Sequence, residues 1–195
     1  MDDFTTVFLF TENAAPIFTD FEKRISLGIT FFLVGLIGLL LVSAALKYFK
    51  KSINTSKKNT KKAITFIKWY FIFQFGCAIL WAILWLGAHV PFYLRYKNEY
   101  TRLQAEYNSK QYQVAEGIVH VTHTQPAYGH DKGDVIKIGN VELVVNAYLE
   151  TFGYKATISH GGALTEGTYA RVFYDYDPTA SESFQYTILQ VDIKK

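Results

Sequence analysis

Two long stretches of the first half of the chain carry no charge at all, and the second half changes to a two-residue rhythm of apolar and polar positions. Ile25 to Leu46, reading ISLGITFFLVGLIGLLLVSAAL, is long enough as a helix to cross a hydrocarbon core of roughly 30 Å. Trp69 to Val90 is equally free of charge, with Trp69, Tyr70, Trp85 and, just beyond, Tyr93 at positions where amphipathic rings favour a membrane–water boundary. The pattern predicts a two-helix transmembrane hairpin. A cleaved signal peptide does not fit the first run. Its apolar core exceeds the usual h-region of roughly 7–15 residues, the residues before it are mainly acidic, and no small-x-small site leads into a soluble stretch.

Pro91 interrupts the second helix as it leaves the apolar run. The pattern then resumes, because Tyr93, Tyr96, Tyr100, Leu103 and Tyr107 alternate spacings of three and four and share one helical face. This segment reads as a helical stalk. Its stripe either pairs with a second copy, giving a homodimer through Tyr93–Tyr107, or packs under the chain's own C-terminal domain. The N-terminal tail mixes Phe4, Phe8, Phe10 and Phe18 with acids and Pro16 in neither period. It is expected to rest on the outer membrane boundary or on the C-terminal domain.

From Gln113 the period is two. Ala115, Gly117, Val119 and Val121 come first, then Ile136 and Ile138, then Val141, Leu143, Val145 and Ala147. Ala170, Val172, Tyr174 and Tyr176 follow, and last Thr187, Leu189, Val191 and Ile193. These positions predict five short strands, each with one apolar face. Gly139-Asn140 suits a two-residue turn between the second and third strands. A long connection from Leu149 to Gly167 falls between the third and fourth, where a five-stranded Greek-key barrel of the OB type places its interrupting element. The expected fold is therefore an α+β membrane protein, a transmembrane hairpin followed by a small five-stranded OB-like or related β-barrel. The divisions are a tail (1–24), a first span (25–46), a basic loop (47–63), a second span (64–92), a stalk (93–111) and the barrel domain (112–195).

Charge orients this arrangement. Lys47, Lys50, Lys51, Lys57, Lys58, Lys61 and Lys62 lie between the spans with no acid among them, whereas the tail carries Asp2, Asp3, Glu12, Asp20 and Glu22. Short lysine-rich loops stay in the cytoplasm, so both termini are expected outside it, in a bacterial inner membrane with the barrel in the periplasm. The lysine run itself reads as a solvated hairpin touching anionic lipid. The sequence pI near 8.8 hides an acidic C-terminal part, where ten acids face six bases from Tyr112 onward. That net charge disfavours nucleic acid as a partner. The single cysteine, Cys77, falls inside the second span, which leaves the barrel no disulfide of its own. Only Gln74 is strongly polar well inside either span, and a solute pathway ordinarily needs several paired ionisable groups.

Two loops of the barrel stand out. Pro126 to Asp131 contains Tyr128, Gly129, His130 and Asp131; Gly153 to Gly162 contains Tyr154, Ser159, His160, Gly161 and Gly162. With Arg171 they form the candidate binding site, since inter-strand loops carry binding in OB-type barrels. The bland alternative is that the glycines serve tight turns while the aromatic and imidazole rings pack the barrel end. No metal or other cofactor is expected. His120 and His123 would point to opposite faces of an uninterrupted strand, and there is no Cys or HxH spacing beside His130 and His160. A Ser159–His160–Asp131 triad is disfavoured because adjacent side chains diverge and no nucleophile elbow is present.

Glu116-Gly117-x-Val119, Gly129-His130, Gly139, Gly153-Tyr154, Ser159-His160-Gly161-Gly162 and Gly167-x-x-x-Arg171 together resemble the pattern of a group of uncharacterised bacterial membrane proteins with a small β domain after one or two helices. The likeness covers roughly residues 112–193. In that group the SHGG run continues Pro-Ile and the third strand ends aromatic-Ser-Asp; this chain has Ala163-Leu164 and Val145-Asn146-Ala147 instead. The resemblance implies a domain boundary and no activity. Two functions are therefore expected in contention. One is a non-enzymatic module binding a protein or envelope partner, such as an immunity or inhibitor protein or an accessory subunit. The other is a metal-dependent or hydrolytic enzyme using His130, His160 and Asp131.

Overall fold

A computed structural model describes residues 3–55, 58–128, 132–180 and 185–194, with only the backbone described between 49 and 60. The elements in chain order are β1 (Phe4–Leu9), α1 (Thr11–Thr55), α2 (Lys58–Asn108), β2 (Gln113–His123), β3 (Asp134–Ile138), β4 (Val141–Val145), β5 (Tyr169–Tyr176) and β6 (Tyr186–Lys194). The class is α+β: two long apolar helices and an antiparallel sheet. The chain divides into two compact units, one of residues 1–17 and 97–195, the other of residues 18–96.

In the first unit the sheet has six strands in the order β1-β6-β5-β2-β3-β4, one more than the sequence predicts. The addition is β1, from the N-terminal tail, which pairs antiparallel with β6 from Phe4↔Lys194 to Leu9↔Gln190. A bulge between Thr6 and Phe8 turns Val7 outward while Phe8 is buried. That extra residue breaks the two-residue alternation and hides the strand from a periodicity search. Beyond β1, the Phe10 amide donates to the Leu189 carbonyl at 2.8 Å. The Phe10 ring is wholly buried, against Tyr100 and Tyr107 of the last turns of α2.

The other five strands occupy the predicted positions, and the Gly139-Asn140 turn joins β3 to β4 in register Ile138↔Val141. Gly139 has φ of 60°, the left-handed value that a tight hairpin requires. Strand β2 serves two neighbours: Gln113 to Ile118 pair with β5 and Val119 to His123 with β3. Ala115 and Val119 of β2, Val172 of β5 and Val191 of β6 are buried together in the core. In β6 the predicted face changes phase, because a bulge opposite Phe173 and Tyr174 leaves Leu189 unpaired and makes Ile188, not Leu189, the partner of Tyr174.

The end of α2 belongs to this unit. Leu103 is 1% exposed, Tyr100 packs on Phe152, and the Tyr107 hydroxyl donates to Gln190 Oε1. Arg102 bonds Glu99, Glu106 and, on β5, Asp175 at 2.9 Å; at its exposure this anchor contributes about 1 kcal/mol or less. The tyrosine stripe thus divides. Tyr100, Leu103 and Tyr107 pack in the sheet unit, whereas Tyr93 and Tyr96 meet Phe18 and Phe21 in the other.

The second unit is an antiparallel pair of helices running beyond their apolar windows, α1 to Thr55 and α2 from Lys58. Pro91 does not interrupt α2, which continues through it. Gly28, Gly35 and Gly38 mark the tight seam: a Cβ at these positions would press on Leu86, on Ile79 and into the Phe75 ring, respectively. Small residues let helix backbones approach where no water drives association. Trp85 Nε1 donates to the Arg24 carbonyl at 2.8 Å, and His89 stacks on Trp85. Both helices are long and apolar enough to cross a membrane.

Truncating Phe10, the ring that joins β1 to the end of α2, should cost about 4 kcal/mol. Thermal unfolding of the full chain in detergent, comparing Phe10→Ala with wild type, measures this. A change below about 1 kcal/mol would mean that the tail contributes nothing to the sheet unit.

Candidate functional site

The connection between β4 and β5 is held from below by one carboxylate. Asp134, at the start of β3 and 2% exposed, accepts from the Gln125 amide through Oδ1 and from the Ile158 amide through Oδ2, both at 2.6 Å. Gln125 is fully buried. Its Nε2 donates to Asn146 Oδ1 at 3.0 Å, and its Oε1 accepts from the Ala147 amide. Three segments that the sheet does not hydrogen-bond, at 125, 146–147 and 158, are fastened together by these groups. A charge out of water is tolerated when its lone pairs meet fixed donors, and here backbone amides supply them.

On this base stands a short 3₁₀ turn, Ile158–His160, closed by Gly161 with φ of 79°. The buried Thr157 receives two amides on its carbonyl, from His160 and Gly162. Its hydroxyl lies 2.7 Å from His160 Nδ1 and 3.2 Å from Ser159 Oγ. Ser159 Oγ is itself 3.1 Å from His160 Nδ1, so the adjacent side chains converge where divergence was expected. The two hydroxyls share one ring nitrogen and fix the imidazole, which also meets the Tyr148 ring edge-on. Gly162 is required by contact, since a Cβ there would overlap the Ala156 carbonyl.

Tyr154 enters the core beside β1, edge-on to Phe8, with its amide bonded to the Ile188 carbonyl. Its hydroxyl accepts the Ala163 amide at 2.5 Å. Burial pushes the hydroxyl pKa up, against the opposing pull of the Ala163 and Leu164 amides. The loop and β1 together border an open groove of about 590 Å³ lined by Val7, Phe8, Ala147, Tyr154, Lys155 and His160 among others. Asn13 on its rim donates to the carbonyls of Phe152 and Gly153. The groove is apolar along β1, with the Lys155 and His160 side chains along the loop.

Of the residues singled out from sequence, Tyr154, His160 and Gly161 come together in this groove, and Ser159 and Gly162 support it. Gly129, His130 and Asp131 lie outside the described residues. Tyr128 is 94% exposed. Arg171 is elsewhere, on β5: its Nε donates to Glu116 at 2.7 Å and its guanidinium lies over the Phe4 ring at 4.2 Å. It joins β2, β5 and β1 on the sheet surface. His120 bonds Glu166 at 3.3 Å, and a bulge between Val121 and His123 means that the strand is not uninterrupted there. Among the described residues no group of three His, Cys, Asp or Glu side chains is placed to hold a metal. Sequence reasoning missed Asp134, Gln125 and Asn146. The signal was a buried-strand pattern, DVIKI, beginning with an acid. No family model, curated protein or solved structure matches the chain.

Removing the Asp134 carboxylate strands two buried amides, so Asp134→Ala should lose about 3 kcal/mol, with protease cleavage moving into residues 146–163. An unchanged melting profile would remove Asp134 from this role. Acid sensitivity follows from other carboxylates. The Arg171 guanidinium holds Glu116 below the usual range, the Val121 amide does so for Glu166, and the Thr179 hydroxyl and amide do so for Asp177. A lowered native pKa stabilises above the unfolded value, about 4, and that contribution disappears as pH falls through the native one. Melting temperature should therefore be flat from neutrality to about pH 5 and fall below pH 4. Glu116→Gln should flatten part of that fall.

Proposed function

We propose that this chain is a two-span protein of a bacterial inner membrane. It presents the sheet unit, an OB-like or related small barrel, outside the cytoplasm to a protein or envelope partner, as an immunity or inhibitor protein or an accessory subunit of a membrane complex. The observation that carries this reading is the pairing of β1 with β6. Strands hydrogen-bonded in one sheet share one compartment, so the chain between them crosses a membrane an even number of times. Two apolar helices suit that requirement, and the lysines between them favour the cytoplasmic side for the hairpin tip. The order β1-β6-β5-β2-β3-β4 leaves β1 and β4 as the edges of an open sheet, so the likeness to an OB-type barrel rests on the long Leu149–Gly167 connection between β4 and β5. The groove on β1, part apolar and part basic, supplies the binding surface.

Nothing in this function needs chemistry at the groove. The enzymatic alternative has one observation in its favour, the 3.1 Å approach of Ser159 Oγ to His160 Nδ1. The same nitrogen lies closer to Thr157, which fits a loop lock better than an activated nucleophile.

Reporter fusions inserted at Lys58 and appended at Lys195 should register opposite compartments; matching signals would overturn the topology. Filling the groove tests the binding reading. Ala147→Trp should reduce recovery of co-purified partners from detergent extract by about tenfold, roughly 1.4 kcal/mol, while His160→Ala leaves the loop weaker but the partner list intact. Should the partner list survive Ala147→Trp and a hydrolytic activity vanish with His160→Ala, the enzymatic alternative stands in its place.

A further inference from the structure

The seam of the helix pair is tight through Gly28, Gly35 and Gly38 and then opens. From Gly38 toward the lysine-rich turn, Leu41, Val42, Ala45 and Leu46 of α1 and Ile64, Ile67, Lys68 and Phe71 of α2 line a groove of about 540 Å³. Its wall is apolar except for Lys68. The Lys68 ammonium lies 5.5 Å from the centre of the Trp69 ring, and Lys61 and Lys62 are exposed at the same end of α2. From Lys47 to Asn98 the sequence contains no Asp or Glu, so no carboxylate of this stretch opposes an anion there.

We propose that this groove holds an acyl chain of an anionic phospholipid, with the lipid phosphate at Lys68. The proposal rests on the membrane reading above. Its physical basis is the coincidence of two demands at one place. An apolar trough facing hydrocarbon is filled most readily by a flexible chain, and a lysine at its mouth attracts a phosphate where the surrounding charge is all of one sign. A second copy of the chain would bring the same lysines to the same end, adding like charge instead of relieving it. An anionic lipid relieves that charge.

The experiment uses the full chain in vesicles of phosphatidylcholine and phosphatidylglycerol in equal amounts. Brominated lipids first test insertion through quenching of the three tryptophans. Absence of quenching by either lipid would sink the membrane reading, and this proposal with it. With quenching established, native mass spectrometry of the released protein counts retained lipids. Wild type should retain phosphatidylglycerol at least about fivefold over phosphatidylcholine, the ratio expected from one favourable lysine. Lys68→Gln should abolish the preference, and Ala45→Phe, which fills the trough without touching charge, should lower the number of lipids retained. Lys47→Gln, which removes a lysine that does not line the groove, should leave both unchanged. Equal loss in Lys47→Gln and Lys68→Gln would mean general surface attraction. A lipid-free dimer lost in Ala45→Phe would assign the groove to a second copy. Either result overturns the proposal, and helical circular dichroism confirms that each variant is folded.

Discussion

A carboxylate removed from water decides how the sheet unit presents its loops. Burying the charge of Asp134 would cost several kcal/mol without partners. The partners it has are amides of two segments distant in sequence, at Gln125 and Ile158. Satisfying that carboxylate and closing the loops are therefore one event: the loops cannot leave without stranding it. Gln125 extends the same logic to Asn146 and Ala147. The groove beside β1 inherits its shape from this arrangement, because Tyr154, Ala156 and His160 belong to the segment that Asp134 anchors.

The two units solve different packing problems with different residues. In the helix pair, glycines let Leu86, Ile79 and Phe75 approach the backbone of α1, and the contact is made by shape. In the sheet unit, aromatic rings do the joining. Phe10, Tyr100, Tyr107 and Phe152 form one cluster that brings a strand, the end of a helix and a loop together. The boundary between units falls inside both helices, after Ile17 and before Lys97, where the tyrosine stripe changes partners.

Much of this was legible in the sequence. The apolar runs announced the helices because a spanning segment needs length and absence of charge, both countable. The hairpin at Gly139-Asn140 and the core faces of β3, β4 and the first part of β2, as far as Val121, followed from alternation that no bulge disturbs. Where a bulge intervenes, legibility fails: Val7 shifts the phase of β1, and Leu189 that of β6. Within the candidate site, His160 and Tyr154 were visible as unusual residues in a glycine-rich loop. Asp134 and Gln125 were not, because a buried acid at a strand start looks like any surface acid until its two amide donors are known. Arg171 was chosen for its place in a motif, and its neighbours Glu116 and Phe4 give it a structural task instead.

The union of β1 with β6 also imposes an order on assembly. The side chains of Thr6 and Asp192 are hydrogen-bonded across 186 positions, so β1 waits for β6, synthesised long after it. Loop closure on that scale is slow compared with forming a hairpin such as β3–β4. Until β6 is complete, Phe8 and Phe10 have no sheet to bury them. A copy that lacks β6 therefore keeps β1 as an apolar, unpaired strand, the kind of feature that chaperones and proteases recognise. Synthesis through β6 thereby becomes a condition for escaping degradation.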